Sequence, residues 1–433
     1  MITLYHGVSL LAALLVAPLL ALWSFWTGKK RRGLRQMFGF VPAGPRASGP
    51  TLWLHALSVG EVNAAAPVLR ALRELDPRLR LVVTVGTDAG YDRARARLDA
   101  EVIAYHPLDC WPFVRLALQR IRPSLFVLTD TGFWPGLIDQ LRQRRVPILL
   151  FNGRLSRRSY ERYWRFLVLM REVFGAFDLL CMQNAQGVEY ARALGAPPDR
   201  CRLMPDTKYD EIEPVPEEER EQLRESLGLK PSDRLLVAGS THPGEEEILL
   251  DAFDRLRERF PRTRLLLAPR RLERLGEISE RLVDRGLPFI LRSHSQKERA
   301  PVILLDRMGE LATLYALADV AFVGRSLIPP GGGHSLIEPA VQGAPVLHGP
   351  YVENQQAQAD LLDPAGVAFV VHSAAEIAQC AGNLMADSER RGRIAAQARI
   401  LIDSKRGASR EMARIILSYL PGGSPEKTGS PPP

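Results

Sequence analysis

The sequence predicts an α/β fold built from two doubly wound domains that follow an uncharged N-terminal helix. Three observations predict it. Two series of short apolar runs alternate with stretches of helical spacing, a Pro/Glu-rich connector at 213–219 separates them, and residues 2–26 contain no Asp, Glu, Lys or Arg. Strands that alternate with helices pair in parallel, because a parallel connection needs a crossover long enough to hold a helix.

The N-terminal stretch comes first. Residues 10–23 are continuously apolar, Trp23 and Trp26 follow, and Lys29, Lys30, Arg31 and Arg32 come next. About 20 helical residues cross a hydrocarbon core of about 30 Å, so residues 1–28 are expected to form a membrane helix. The basic cluster keeps the rest of the chain on the cytoplasmic side. A cleaved signal peptide needs a basic residue before the apolar run, and Met1 to Gly7 supplies none. Pro18 interrupts the run, so attachment to a bacterial inner membrane is expected as either single-pass or monotopic.

A basic linker at 29–50 leads into the first domain, expected over 51–210. Strands are predicted at 51–57, 81–85, 102–105, 125–128, 148–151 and 179–182, with a helix over 61–75 where Val62, Ala65, Ala66, Leu69 and Leu72 share a face. After an interdomain linker at 211–232, the second domain is expected over 233–420. Its strands are predicted at 235–238, 265–268, 289–291, 302–305, 320–323, 346–347 and 368–371. Two such sheets offer a ligand site at their carboxyl ends. Residues 421–433 are Pro/Gly/Ser-rich and are expected to be a disordered tail.

Composition limits the partners. The chain has 433 residues, a formal net charge of +8 and a pI near 9.5, which favours anionic partners. Four scattered cysteines, Cys110, Cys181, Cys201 and Cys380, form neither a disulfide framework nor a zinc motif. Four local patterns carry chemistry. Ser58-Val59-Gly60-Glu61 puts a carboxylate at a helix start, where the plain reading is a first-turn glutamate stabilised by the helix dipole. The stretch from Gly239 to Glu245 suits either a phosphate or an ordinary helix cap. Gly331-Gly332-Gly333 before Ser335 points to an anion site, with a structural loop as the alternative. The basic run Arg154, Arg157, Arg158, Arg162 and Arg165 is interleaved with Tyr160, Tyr163, Trp164 and Phe166. It is either a solvated face or a surface for phosphates and apolar chains together. No nucleic-acid-binding motif accompanies it.

Together these pieces resemble the family that transfers 3-deoxy-D-manno-oct-2-ulosonic acid (Kdo) from CMP-Kdo to lipid A precursor. The resemblance is carried by LWLHALSVGEVNAAAPVLRAL, DTGFWPGLIDQL, VPILLFNGRLSRRSYERY, DTKYD, GSTHPGEEE, APRR, DRMGELATLYALADVAFVG and GGGHSLIEPAVQGAPVLHGP, in that order. It implies a glycosyltransferase-B fold of two Rossmann-like domains, the first (51–210) acceptor-binding and the second (233–420) CMP-sugar-binding, inversion without a metal or other cofactor, and a role in lipopolysaccharide biosynthesis. By matching position, Glu61 is implied as general base, and Lys208 as the cation that stabilises departing CMP. Arg270, Arg271, Met308, Gly309, Glu310, Ser335, Leu336, Ile337 and Glu338 are implied to hold CMP.

The chain departs from the family pattern at several points. Where the family has ETE-x-WP, this chain has Asp130-Thr131-Gly132-Phe133-Trp134-Pro135, so the second carboxylate is missing at Gly132. The family's Pro-Arg-His is Pro269-Arg270-Arg271, its Gly-Gly-Ser is Gly324-Arg325-Ser326, and its Gly-Gly-His-Asn is Gly332-Gly333-His334-Ser335. The enzyme is the leading expectation, because Glu61, Lys208 and Glu338 are retained. The alternative is a catalytically silent paralogue that binds nucleotide or lipid as a scaffold or regulator, and Gly132 is the feature that favours it.

Overall fold

The computed structural model describes residues 1–27, 33–44, 49–130, 132–294 and 299–423, with side chains from residue 1 to residue 15 in the first of these stretches. The chain divides into two compact units. The first comprises residues 1–211 and 406–433, and the second residues 212–405.

In the first unit, β1 (Thr51–His55), β2 (Arg80–Val85), β3 (Val102–Tyr105), β4 (Leu125–Thr129), β5 (Ile148–Gly153), β6 (Leu179–Met182) and β7 (Cys201–Leu203) form one sheet in the order β3-β2-β1-β4-β5-β6-β7. Neighbouring strands are parallel, as in the register Trp53 to Val82 and Trp53 to Phe126. Every residue of β1, β2 and β4 is buried, because helices cover both faces. Trp53, Val82 and Phe126 feed one core, while Leu52, Leu54, Leu81 and Val127 feed the opposite one. In the second unit, β8 (Arg234–Thr241), β9 (Thr263–Pro269), β10 (Phe289–Leu291), β11 (Val302–Leu304), β12 (Val320–Val323), β13 (Val346–His348) and β14 (Ala368–Val370) form a second parallel sheet in the order β10-β11-β9-β8-β12-β13-β14, with β11 between β10 and β9. The two doubly wound sheets expected from the sequence are present.

Two expectations about extent differ from the structure. The second domain was expected to reach residue 420, yet the helix Ala408–Ser418 packs in the first unit. There Met412, Ala413 and Ile416 join the core beside Val62, Leu69 and Leu72 of the helix Val59–Leu75. Asp210 caps its start, accepting from Gly407 N at 2.6 Å and from Ser409 N at 2.7 Å. The expected linker at 211–232 contains the helix Glu217–Ser226, with Glu217, Glu218 and Glu219 in the first turn where the helix dipole favours anions.

Among the described residues no helix is long and apolar enough to cross a membrane. The expected spanning helix over 1–28, and single-pass attachment with it, are therefore not supported. Residues 2–27 are helical. The first turns of this helix are docked on the first unit. Tyr5 donates its hydroxyl to Asp109 Oδ2 at 2.6 Å, His6 Nε2 lies 3.0 Å from Asp139 Oδ2, and Ile2 and Tyr5 pack against the core. The tryptophans Trp23 and Trp26, the basic cluster from Lys29 to Arg32 and the expected tail from residue 424 onward lie outside the described side chains.

Asp109 also accepts from Gly136 N at 2.8 Å and Leu137 N at 2.7 Å, at the start of the helix Pro135–Gln143. Tyr5→Phe removes one charge-assisted bond, worth about 1.5–3 kcal/mol, and leaves those two N–H groups satisfied. Faster hydrogen exchange over residues 2–15, with β1 and β4 unchanged, is the expected result. Unchanged exchange at the N-terminus would show that Tyr5 does not hold the helix.

Candidate active site

Each sheet reverses its strand order at one place, and ligands of open α/β sheets bind at such a place. In the first unit it lies between β1 and β4. Glu61 sits there in the first turn of Val59–Leu75, following β1, and Asp130 follows β4. Glu61 is 8% exposed. Its Oε2 accepts from Leu57 N at 2.7 Å and from the Thr129 hydroxyl at 3.2 Å. Burial raises the Glu61 carboxyl to about 7, and the nearby Asp130 charge adds to the rise. The hydrogen bonds from Leu57 and Thr129 and the Arg154 charge only partly oppose this. A carboxylate of this kind is poised to take a proton near neutral pH.

Around it lies a network that the sequence showed only in fragments. Asp130 has a left-handed backbone with φ 61°, and both its oxygens receive Arg154, through Nε at 2.9 Å and through Nη2. Arg154 therefore belongs to the site rather than to a solvated run. The remaining part of that run forms the exposed helix Arg157–Trp164, where Arg157 pairs with Glu161 and Tyr160 stacks on Tyr190. Asn152, at the end of β5, donates to Asp206 at 3.0 Å and to Thr207 at 2.8 Å. Thr207 in turn donates to Ala64 O at 2.6 Å. This bond fastens the turn that carries Lys208 to the helix that carries Glu61, so the first unit brings these two residues to one end of its sheet. Lys208 is half-buried.

The second reversal lies between β8 and β12. Glu245 is 1% exposed and accepts from four backbone N–H groups: His242 at 2.9 Å, Arg325 at 2.8 Å, Ser326 at 2.9 Å and Leu327 at 3.0 Å. It thereby splices the loop after β8 to the loop after β12. Glu246, fully buried, accepts from Thr241 at 2.9 Å and from Arg274 at 2.6 Å. Glu245 and Glu246 are therefore structural. His242 and His334 meet at 3.1 Å between Nε2 atoms, with rings 5.3 Å apart. Burial, His242 and the charges of Arg270 and Arg325 lower His334 to about 3.

The glycine loop has a packing reason for its composition. Gly331, Gly332 and Gly333 all have positive φ, and a Cβ at Gly331 would fall 2.1 Å from Tyr351. The N–H groups expected at the following helix start are already engaged, because Gln358 Oε1 accepts from Leu336 N at 2.7 Å and from Ile337 N at 3.4 Å. The Leu336 and Ile337 side chains are buried in the core, whereas Ser335 and Glu338 are half-buried. Arg270, Arg271, Met308 and Gly309 are exposed, and Glu310 accepts from Arg292 at 2.9 Å. Among the described residues no group of three or more His, Cys, Asp or Glu side chains is placed to hold a metal ion.

Two parallel doubly wound units, each with its polar cluster at the strand reversal, define a glycosyltransferase-B fold. Solved structures agree: the chain overlays a UDP-GlcNAc 2-epimerase from Neisseria meningitidis with a TM-score of 0.60 at 13% identity, covering 85% of this chain and 99% of that one. That likeness concerns the fold alone. Residues 32–211 match the family described as 3-deoxy-D-manno-octulosonic-acid transferase (kdotransferase). The chain is 31% identical over 422 residues to a 3-deoxy-D-manno-octulosonic acid transferase of Haemophilus influenzae, covering 96% of this chain and 98% of the relative. It is 30% identical over 392 residues to the Chlamydia muridarum transferase of the same description, covering 90% of each. The chain belongs to the 3-deoxy-D-manno-octulosonic acid transferase family and is a glycosyltransferase.

Proposed function

We propose that the chain transfers Kdo from CMP-Kdo to a lipid A precursor in lipopolysaccharide synthesis, with inversion and without a metal. The observation that carries the reading is Glu61, a buried carboxylate raised to about 7 at the strand reversal of the first unit. Glu61 takes the proton of an acceptor hydroxyl while that oxygen bonds to the anomeric carbon. The bond from that carbon to the phosphate oxygen of CMP breaks, and CMP carries away the electron pair. Lys208 meets the charge that develops on the phosphate, a role suited to a half-buried cation. Arg270, Arg271, Met308, Gly309 and Glu310 contact CMP from exposed loops of the second unit. Ser335 and Glu338 add polar groups, with Glu338 on the ribose hydroxyls. Leu336 and Ile337 contribute through the backbone that Gln358 fixes.

The proposed membrane attachment is monotopic, at the cytoplasmic face of the inner membrane. Leu4, Val8, Leu11 and Leu15 recur on one face of the first helix and are all exposed, as are Trp164, Phe166 and Val168 beside the basic run. The alternative of a silent paralogue is not favoured, because the base and its supporting network are intact.

Detergent-solubilised protein incubated with CMP-Kdo and tetraacyl lipid A precursor should give a lipid heavier by one or more Kdo residues. Unchanged lipid mass would sink the reading. The same reaction should continue in EDTA, because cationic side chains take the place of a metal at the leaving phosphate. Activity lost in EDTA and restored by Mg²⁺ or Mn²⁺ would count against metal independence.

A further inference from the structure

The first unit contains a second polar cluster that the transfer mechanism leaves unused. His55 ends β1, His106 follows β3, and Trp134 precedes the helix Pro135–Gln143. Their rings pack together, with centroids 3.8 Å apart for His55 and His106, 4.9 Å for His106 and Trp134, and 5.8 Å for His55 and Trp134. His55 is 0% exposed and His106 6%. Among the described residues, His55 Nε2, His106 Nε2 and Trp134 Nε1 are buried atoms with no hydrogen-bond partner. Buried polar atoms are nearly always paired, so three unpaired ring nitrogens in one cluster call for a hydrogen-bonding guest, water or a ligand.

Thr84 fixes what these nitrogens offer. His55 Nδ1 lies 3.0 Å from the Thr84 carbonyl, which only accepts, so Nδ1 carries the His55 proton and Nε2 presents a lone pair. The Thr84 hydroxyl accepts from Trp53 Nε1 at 2.9 Å and has its own proton for His106 Nδ1 at 3.2 Å. His106 Nε2 is then an N–H donor. Burial keeps both histidines neutral, lowering His55 to about 3 and His106 well below its usual value. The cluster thus presents one acceptor, His55 Nε2, and two donors, His106 Nε2–H and Trp134 Nε1–H.

That set complements a hydroxyl, which has one proton to give and two lone pairs to receive. A carboxylate or phosphate would meet the His55 lone pair, and an ammonium would meet two N–H donors. Gly132 is part of the arrangement. A Cβ there would lie 3.5 Å from Trp134 Nε1, so a longer acidic side chain at this position would reach that N–H, whereas glycine supplies no acceptor. The cluster adjoins the base, because the Thr129 hydroxyl lies between the two, 2.9 Å from the His55 carbonyl and 3.2 Å from Glu61 Oε2.

We infer that His55, His106 and Trp134 form a subsite for a neutral hydroxyl of the acceptor sugar, beside the hydroxyl that Glu61 deprotonates. This rests on the proposed reading of Glu61, in the first unit, as the base that deprotonates the acceptor, and adds how that unit selects its substrate. The missing carboxylate at Gly132 is, on this account, the condition for the subsite: the substrate hydroxyl takes the N–H that a glutamate would occupy.

The test measures dissociation constants of the full chain in detergent for tetraacyl lipid A precursor and for analogues that each lack one sugar hydroxyl. Trp134→Phe should weaken the intact acceptor about tenfold, with CMP affinity and melting temperature unchanged. One deoxy analogue should lose the same factor with the wild type and nothing further with Trp134→Phe. Gly132→Glu, which leaves Trp134 in place, should show the same loss and the same coupling. Additive losses for every analogue, or unchanged affinity in both variants, would mean that the cluster holds only water and would overturn the subsite. Coupling without turnover of CMP-Kdo would retire the transfer reaction and keep the subsite. Failure of the wild type to bind the acceptor would retire both.

Discussion

Glu61→Gln should lower kcat by about 10²–10⁴-fold, the usual contribution of a general base, while CMP affinity stays within about twofold. Glutamine keeps the shape and can still accept from Leu57 N and Thr129, so what it loses is basicity. The wild-type rate should rise with pH through about 7, because burial and Asp130 raise the Glu61 carboxyl to that value and only the anion accepts the proton. The variant should lose that limb. Stability supplies a second readout. The folded value lies above the ordinary 4.5, so the folded chain holds this proton more tightly than the unfolded chain does. The resulting stabilisation is complete below about 4.5 and is lost as pH rises through about 7. Above pH 8 the wild type bears an ionised buried carboxylate, and Glu61→Gln should raise the melting temperature of the first unit. An unchanged kcat would remove Glu61 from the mechanism, whatever happened to the melting temperature.

Glu245→Ala should destabilise the second unit by about 4 kcal/mol, since each buried donor left without an acceptor costs about 1–3 kcal/mol. The carboxylate serves four N–H groups at once, and alanine leaves His242, Arg325, Ser326 and Leu327 without that acceptor. A fall of roughly 10 °C in the melting of that unit is expected, together with weaker CMP binding, since the two loops it splices flank the proposed nucleotide residues. Glu245→Gln should fall between, because its oxygen still accepts but its NH₂ faces other donors. Calorimetry on both variants checks the order. A Glu245→Ala protein as stable as the wild type would show that the loops hold each other without it.

The sheets were legible because parallel strands buried on both faces read as short apolar runs with turns between them. The strands Val102–Tyr105, Leu179–Met182, Phe289–Leu291 and Val320–Val323 fall where their residues alone place them. The strand Cys201–Leu203 was missed, since an edge strand of three residues with Arg202 at its centre has no apolar run to read. Glu61 was visible as a first-turn carboxylate, but its raised pKa was not, because its burial and the nearby Asp130 charge arise only when distant parts of the chain fold around it. Likewise, Glu245 read equally well as a cap or as a phosphate neighbour. Its partners at 325–327 are about 80 residues away, and no local spacing encodes them. The N-terminal run has the composition of a membrane helix, yet Tyr5 and His6 carry polar groups whose partners, Asp109 and Asp139, appear only in the folded chain.

The helix Ala408–Ser418 gives the chain an unusual schedule during synthesis. Domains generally fold from the N-terminal end as the chain leaves the ribosome at about 5–20 residues per second. Here the first unit lacks Met412, Ala413 and Ile416 until nearly the whole chain has been made, so an apolar strip on the helix Val59–Leu75 waits through the translation of the entire second unit. At that rate the wait is roughly 10–40 s, ample time for a chaperone to engage the strip. The unit begun first is therefore the unit finished last, and a stalled or truncated message yields a complete second unit beside a first that lacks part of its core.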